Sequence, residues 1–289
     1  MLAATYRWVE EQVELMLNLA TSTHPKTFLR DCLNDPFGIA QHWKRKVQVQ
    51  LINRSAYSVA EKDEDSDISG LCMQPEQTVD GKYHLIVNQC GYLPRDYFTL
   101  LHELGHYLQR TDDELIIRRT IFNNIAMSKE AEEAACNLFA SKALMPDELI
   151  AEIGDFHKAS TATTLYTRSQ ASRPAVARRI AALLDNGWVT ILDPTNSLKV
   201  RAFADDHREY GLPLELELRA VERFREQEQS KKRLEEYTFT DSYTAQEEHD
   251  TKIHQVNVSI APSWSGRRNT FMYIIVNEGM KSDSSMHEG

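Results

Sequence analysis

Long hydrophobic runs are missing from this chain of 289 residues: no apolar stretch approaches the ~20 residues that cross a bilayer. The N-terminus, MLAATYRWVEEQVELMLNLA, carries acids where a secretory signal would carry a basic segment, so the sequence predicts a cytoplasmic protein with no membrane partner. Cysteine is scarce. The four residues, Cys32, Cys72, Cys90 and Cys136, form no C-x-x-C pair, which argues for reduced thiols and against a disulfide framework or a zinc ribbon. Positive charge is in deficit, with 33 Lys and Arg against 43 Asp and Glu and a formal net charge of -10, which excludes a surface built to bind duplex DNA along its whole length. Short basic clusters at Lys44-Arg45-Lys46, Arg178-Arg179, Lys231-Lys232-Arg233 and Arg267-Arg268 each read as a solvated face. What is present is ordinary globular material, 42% hydrophobic and 26% charged, enough to bury a core in one large domain or two modest ones.

Periodicity predicts a helical start, because Tyr6, Val9, Val13, Met16 and Leu17 recur at helical spacing between Glu10, Glu11 and Glu14. A short helix over Gly38 to Trp43 follows. VQVQLIN, residues 47–53, alternates as a strand with one buried face. The acidic stretch EKDEDSD, residues 61–67, lacks the glycine and terminal glutamate of a calcium loop and reads as a solvated connection. Asp80-Gly81 between LCMQPEQTV and KYHLIVN signals a hairpin, and Pro75 marks its first strand as an edge.

After the breakers Gly91 and Pro94 comes TLLHELGHYLQR, residues 99–110. On a helix, His102 and His106 stack on one face, where they can share one ion, with Glu103 at its edge. Leu101, Leu104 and Leu108 fall on another face and supply what a packed helix must bury. Residues 113–127 read as helix, and a further helix starts at Ser128 and stops at Pro146.

That last helix offers a third ligand. A hydrolytic zinc site commonly takes three protein ligands, and two histidines plus a glutamate from a following helix is one solution. Glu130, Glu132 and Glu133 are all within reach along the chain, but only Glu133 has Asn137 one turn later on its own face, where an amide can orient a ligating histidine. FTLLHELGHYL together with EAACNLFASKALMP resembles the ImmA/IrrE family of zinc metallopeptidases, with a weaker match over about residues 30–190. The resemblance implies a zincin-like α+β peptidase domain, with His102, His106 and Glu133 as Zn2+ ligands and Glu103 as the catalytic carboxylate. Where members often carry an acid two residues before the Asn, this chain has Ala135, which leaves Glu133 the better choice.

Zinc lowers the pKa of its bound water and polarises the scissile carbonyl, while Glu103 takes and returns the proton. His157 and Tyr166 are candidates for stabilising the oxyanion. Cys90 sits in the loop before the metal helix, where a thiolate could take the fourth zinc position and hold the enzyme latent, the plainer reading being an ordinary loop residue. Members of the family in antiphage signalling operons cut a paired repressor, with single-stranded DNA as activator. That resemblance motivates an endopeptidase acting on a helix-turn-helix repressor in a stress or antiphage-defence operon; the alternative is a peptidase-like protein that regulates transcription directly.

Residues beyond Pro146 outline two helices around a short turn, with Ser172 and Pro174 at the start of the second and Asn186-Gly187 as its stop, like a helix-turn-helix. A charged helix from Leu214 to Glu236 and strands near 236–242, 253–260 and 271–276 follow. The expected division is therefore a peptidase domain with a helix-turn-helix-like end over 1–190, a small α+β regulatory domain over 191–280, and a disordered tail over 281–289.

Overall fold

The computed structural model describes residues 3–24, 27–41, 43–53, 69–122, 128–204, 214–230, 234–247, 250–265 and 269–278. The acidic run 61–67, the basic clusters at 231–233 and 267–268 and the tail 281–289 lie outside them. The chain is α+β and divides into two compact units: residues 1–147 with 168–172, and residues 148–167 with 173–289.

In the first unit the N-terminal stripe forms α1 (Ala3–Thr23). Val9, Val13, Met16 and Ala20 are buried against the rest of the unit, whereas Tyr6 turns outward. A short α2 (Phe28–Asn34) and a 3-10 turn (Pro36–Gln41) lead to a three-stranded sheet. Its strands β1 (Val47–Asn53), β2 (Gly70–Met73) and β3 (Tyr83–Gln89) lie in the order β1-β3-β2, with β1 parallel and β2 antiparallel to β3. Gly81 turns the chain between β2 and β3 at φ +64°, a conformation that favours glycine. As Pro75 suggested, β2 is an edge strand. The alternation expected of β1 holds at Val47 but not at Leu51, which is exposed.

The metal helix is α3 (Leu93–Thr111), followed by α4 (Asp113–Phe122) and α5 (Ser128–Leu144). Leu100, Leu101, Leu104 and Leu108 are all essentially buried, each such side chain stabilising the unit by about 1.5–3 kcal/mol. On one side α3 packs against β2 and β3. Its opposite side packs on α5, and there Gly105 is the residue that permits the approach. A Cβ at that position would lie 3.1 Å from the Met16 methyl, 3.2 Å from Cys136 Sγ and 3.3 Å from the Cys136 backbone. Ala131 and Ala135 of α5 are fully buried. The short segment 168–172 also belongs here, and Gln170 donates to the Leu33 carbonyl at 3.0 Å.

The second unit holds α6 (Asp147–Ile153, apart from its first residue), α7 (Ala159–Arg168) and α8 (Arg173–Ala181). These precede β4 (Gly187–Leu192), β5 (Leu198–Phe203), α9 (Glu215–Ser230), β6 (Tyr237–Glu247), β7 (Asp250–Ser265) and β8 (Asn269–Glu278). The strands form one antiparallel sheet in the order β5-β4-β8-β7-β6. Val256, Val258 and Ile260 of β7 and Met272, Ile274 and Val276 of β8 pack on Leu216, Ala220, Val221 and Phe224 of α9. The side chain of Glu217, fully buried, accepts from Trp188 Nε1 at 3.1 Å, from the Thr190 hydroxyl and from Arg201 Nε at 2.9 Å. A charge buried in this way is tolerable because it is paired and hydrogen-bonded.

Two sequence expectations change here. A boundary at 190 would cut β4, which is hydrogen-bonded to β5 on one side and β8 on the other. All six residues of β4 are buried, so GWVTIL shows no period-two alternation and is hard to separate from a buried turn of helix. The helix-turn-helix outline is present as α7 and α8, but α8 packs against β4 and β5 with Val176, Ala177, Arg179 and Ile180 buried.

Gly187 begins β4 at φ +117°, and a Cβ there would lie 2.0 Å from the Val276 carbonyl oxygen. Gly154 has nearly the same φ, +118°, with no atom within 4 Å of its Cβ position. In denaturant unfolding, Gly187→Ala is expected to cost at least about 3 kcal/mol and Gly154→Ala about 1 kcal/mol, the difference measuring the clash alone. Equal losses would show that the sheet shifts freely at this point.

Candidate metal centre

Two adjacent turns of α3 and one turn of α5 build the site. His102 and His106, four residues apart, project from α3, and Glu133 from α5 reaches both. Its Oε2 lies 3.2 Å from His102 Nε2 and its Oε1 3.4 Å from His106 Nε2, while the two Nε2 atoms are 3.1 Å apart. One ligand atom from each of the three residues lies within 4.8 Å of the others.

The far side of each imidazole decides its tautomer. Asn137 Oδ1 sits 2.9 Å from His102 Nδ1, and Glu132 Oε1 sits 3.0 Å from His106 Nδ1. Both partners are acceptors, so each Nδ1 carries the proton and each Nε2 keeps its lone pair. Two lone pairs and a carboxylate then face one another across a gap with no proton to share, a repulsive arrangement that a divalent cation relieves. Burial, and after it the neighbouring His106, lowers the His102 pKa and favours the neutral ring that a metal requires. The donor set fits zinc.

Glu132 was weighed in the sequence only as an alternative ligand. It is instead the partner of His106, and the hydrogen bond from that ring lowers its pKa. Arg119 and Arg110 lie 3.4 and 3.7 Å from its carboxylate. Arg110 also donates to the Cys72 carbonyl at 3.2 Å and so links α3 to β2.

Glu103 is buried beneath β2. Burial, with Glu133 adding to it, pushes its carboxyl up to about 7, while His106 and Arg110 oppose the rise. A Cβ on Gly70 would lie 2.6 Å from Glu103 Oε1 and 2.5 Å from the Thr99 methyl. A lone glycine in a strand signals such a close approach, and in the sequence it went unread. The cleft, about 540 Å³, is lined by Gly70, Leu71, Arg95, Phe98, the three ligand candidates and Glu103, among others.

Cys90 does not line this cleft. It is exposed, its thiol donates to Asp96 Oδ1 at 3.4 Å and its N–H donates to the same oxygen at 3.1 Å, which ties the loop to the first turns of α3. The cysteine that does line it is Cys72, whose thiol burial pushes up to about 12. His157 and Tyr166 are also missing from the described lining. His157 pairs with Asp155 at 3.0 Å, and the Tyr166 ring lies 4.1 Å from the Arg173 guanidinium.

An α+β domain with two helical histidines, a third ligand from the next long helix and a buried glutamate defines a metallopeptidase-like class. Residues 56–181 match the Peptidase_M78 model, described as an IrrE N-terminal-like domain, which supports a peptidase domain of the ImmA/IrrE type over that part of the chain. A solved structure of a Mycobacterium tuberculosis transcriptional regulator is similar at 14% identity, covering 93% of this chain and 76% of that chain with a TM-score of 0.47. No curated protein matches the chain.

The contacts rank the glutamates of α5. Zinc titration against a chromophoric chelator is expected to show binding lost in His102→Ala and Glu133→Ala, and weakened about 10–100-fold in Glu132→Gln and Asn137→Ala. Glu130→Gln should bind as the wild type does. A wild-type affinity in Glu133→Ala would remove Glu133 from the ligand set.

Proposed function

We propose that this protein is a zinc-dependent endopeptidase of the cytoplasm. In this reading it cleaves a specific regulatory protein, a helix-turn-helix repressor, and so derepresses a stress or antiphage-defence operon, with single-stranded DNA as activator. The observation that carries the peptidase half is the convergence of His102, His106 and Glu133 beside a buried carboxylate. The repressor and the activator rest on the family resemblance alone.

His102, His106 and Glu133 would hold the ion. Bound there, zinc supplies Lewis acidity, activating water and polarising a scissile carbonyl. Glu103, held beneath β2 by a backbone hydrogen bond from Cys72, would accept a proton from water at its carboxylate and pass it to the leaving amine. Asn137 and Glu132 keep both rings in the tautomer that offers Nε2. As an edge strand, β2 presents unpaired main-chain groups to an extended peptide, which is how a segment of a substrate would be held straight across the cleft.

Incubating the zinc-loaded protein with a helix-turn-helix repressor from the same operon, with and without single-stranded DNA, tests the reading. Glu103→Gln should lower cleavage by at least about 10²-fold while zinc stoichiometry is unchanged. Absence of cleavage under every condition would favour direct transcriptional regulation without proteolysis. Cys90→Ala in the same assay tests the latch: a rise in basal cleavage would assign the thiol that role, and unchanged cleavage would leave it as a tie at the start of α3.

A further inference from the structure

A second cavity of the first unit, about 830 Å³, is larger than the metal cleft and has a different chemistry. It shares no lining residue with the metal cleft. Lys44, Arg45 and Lys46 contribute from the turn that enters β1, and Lys82 from the start of β3. The turn is held in place by main-chain bonds from Lys46 N to the Trp43 carbonyl at 2.8 Å and from Tyr83 N to the Lys46 carbonyl at 3.1 Å. Among the described residues, Lys44, Arg45 and Lys46 have no ion-pair partner. The acid in the lining is Asp112, and its Oδ1 already accepts from Glu114 N and Leu115 N at the start of α4. In a chain of net charge -10, this gathers four cations at one concave site, Lys82 beside the Asp80 carboxylate and the other three without an ion-pair partner among the described residues.

The other wall is aromatic. Trp43, Tyr83 and Tyr107 line it, the two tyrosine rings 5.0 Å apart and edge-to-face. Trp43 and Tyr107 are nearly buried, so this wall is rigid. Cations beside flat rings suit a ligand that joins an anionic group to a planar one, and the cavity has the size of a small-molecule site.

We propose that this cavity binds a phosphate-bearing ligand with a planar ring, the size of one nucleotide, with phosphates at the Lys44–Lys46 turn and the ring against Trp43, Tyr83 and Tyr107. The site is separate from the metal centre and stands whether or not the protein is a peptidase.

Calorimetric titration of the full chain with ADP, UDP, adenosine and pyrophosphate reads the proposal. At least one nucleotide is expected to bind about tenfold or more tighter than adenosine or pyrophosphate, and Lys44→Ala/Lys46→Ala to weaken it about tenfold or more. Both side chains are exposed, so the double variant should fold, and Lys199→Ala on the second sheet is the control for loss of a lysine elsewhere. Unchanged affinity in His102→Ala separates this cavity from phosphate bound at the metal centre. A single-stranded oligomer of about eight thymidines distinguishes a free nucleotide from one within a chain, since tighter binding of the oligomer in a Lys44- and Lys46-dependent way assigns the latter. No binding of either nucleotide, or the same affinity in the double alanine variant, would overturn the proposal.

Discussion

Everything at the metal centre depends on the orientation of two imidazoles, and that orientation is set from behind. The bonds from Nδ1 to Asn137 and Glu132 aim both Nε2 lone pairs at one point. Both partners sit on α5, as does Glu133, so one helix supplies a candidate ligand and the two acceptors that position the imidazoles. That economy works only if α5 runs close to α3. Gly105 is the means, and its small size is a structural requirement of the site rather than a feature of its chemistry. A bulkier contact would move three functional groups at once.

Much of this was legible in residue spacing. Histidines four apart must share a helical face, and an Asn four residues after a Glu must share one too, so His102, His106, Glu133 and Asn137 could be grouped before any fold was known. Glu132 was not legible in its role, because spacing along α5 does not say whether a carboxylate meets Nε2 or Nδ1 of a ring on another helix. The contacts of Cys90 were not legible for a related reason. Closeness in sequence to α3 suggested closeness to the metal, whereas its thiol and its N–H both meet Asp96, in the first turn of that helix.

The second unit shows where pattern reading fails. Strands β6, β7 and β8 were found from alternating apolar residues, and β4 and β5 were not. A strand covered on both faces loses the polar half of its alternation, and β4 is covered throughout. Missing it moved the expected domain boundary into the middle of a sheet. It also hid the surface on which the α7 and α8 pair packs, since α8 covers β4 and β5.

Charge distribution is the last link between the two cavities of the first unit. A net charge of -10 describes the chain and says little about any concave part of it. The metal cleft balances Glu103 and Glu133 against Arg95 and Arg110, with Glu133 turned toward the two histidines. The second cavity is weighted to one sign, with Lys44, Arg45, Lys46 and Lys82 against Asp112. Helix α3 contributes to both, His102, Glu103 and His106 to the metal cleft and Tyr107, Leu108 and Thr111 to the basic cavity. The leucines that bury α3 hold both sets of side chains on one element, so the metal cleft and the basic cavity are built on different stretches of the same helix without sharing a lining residue.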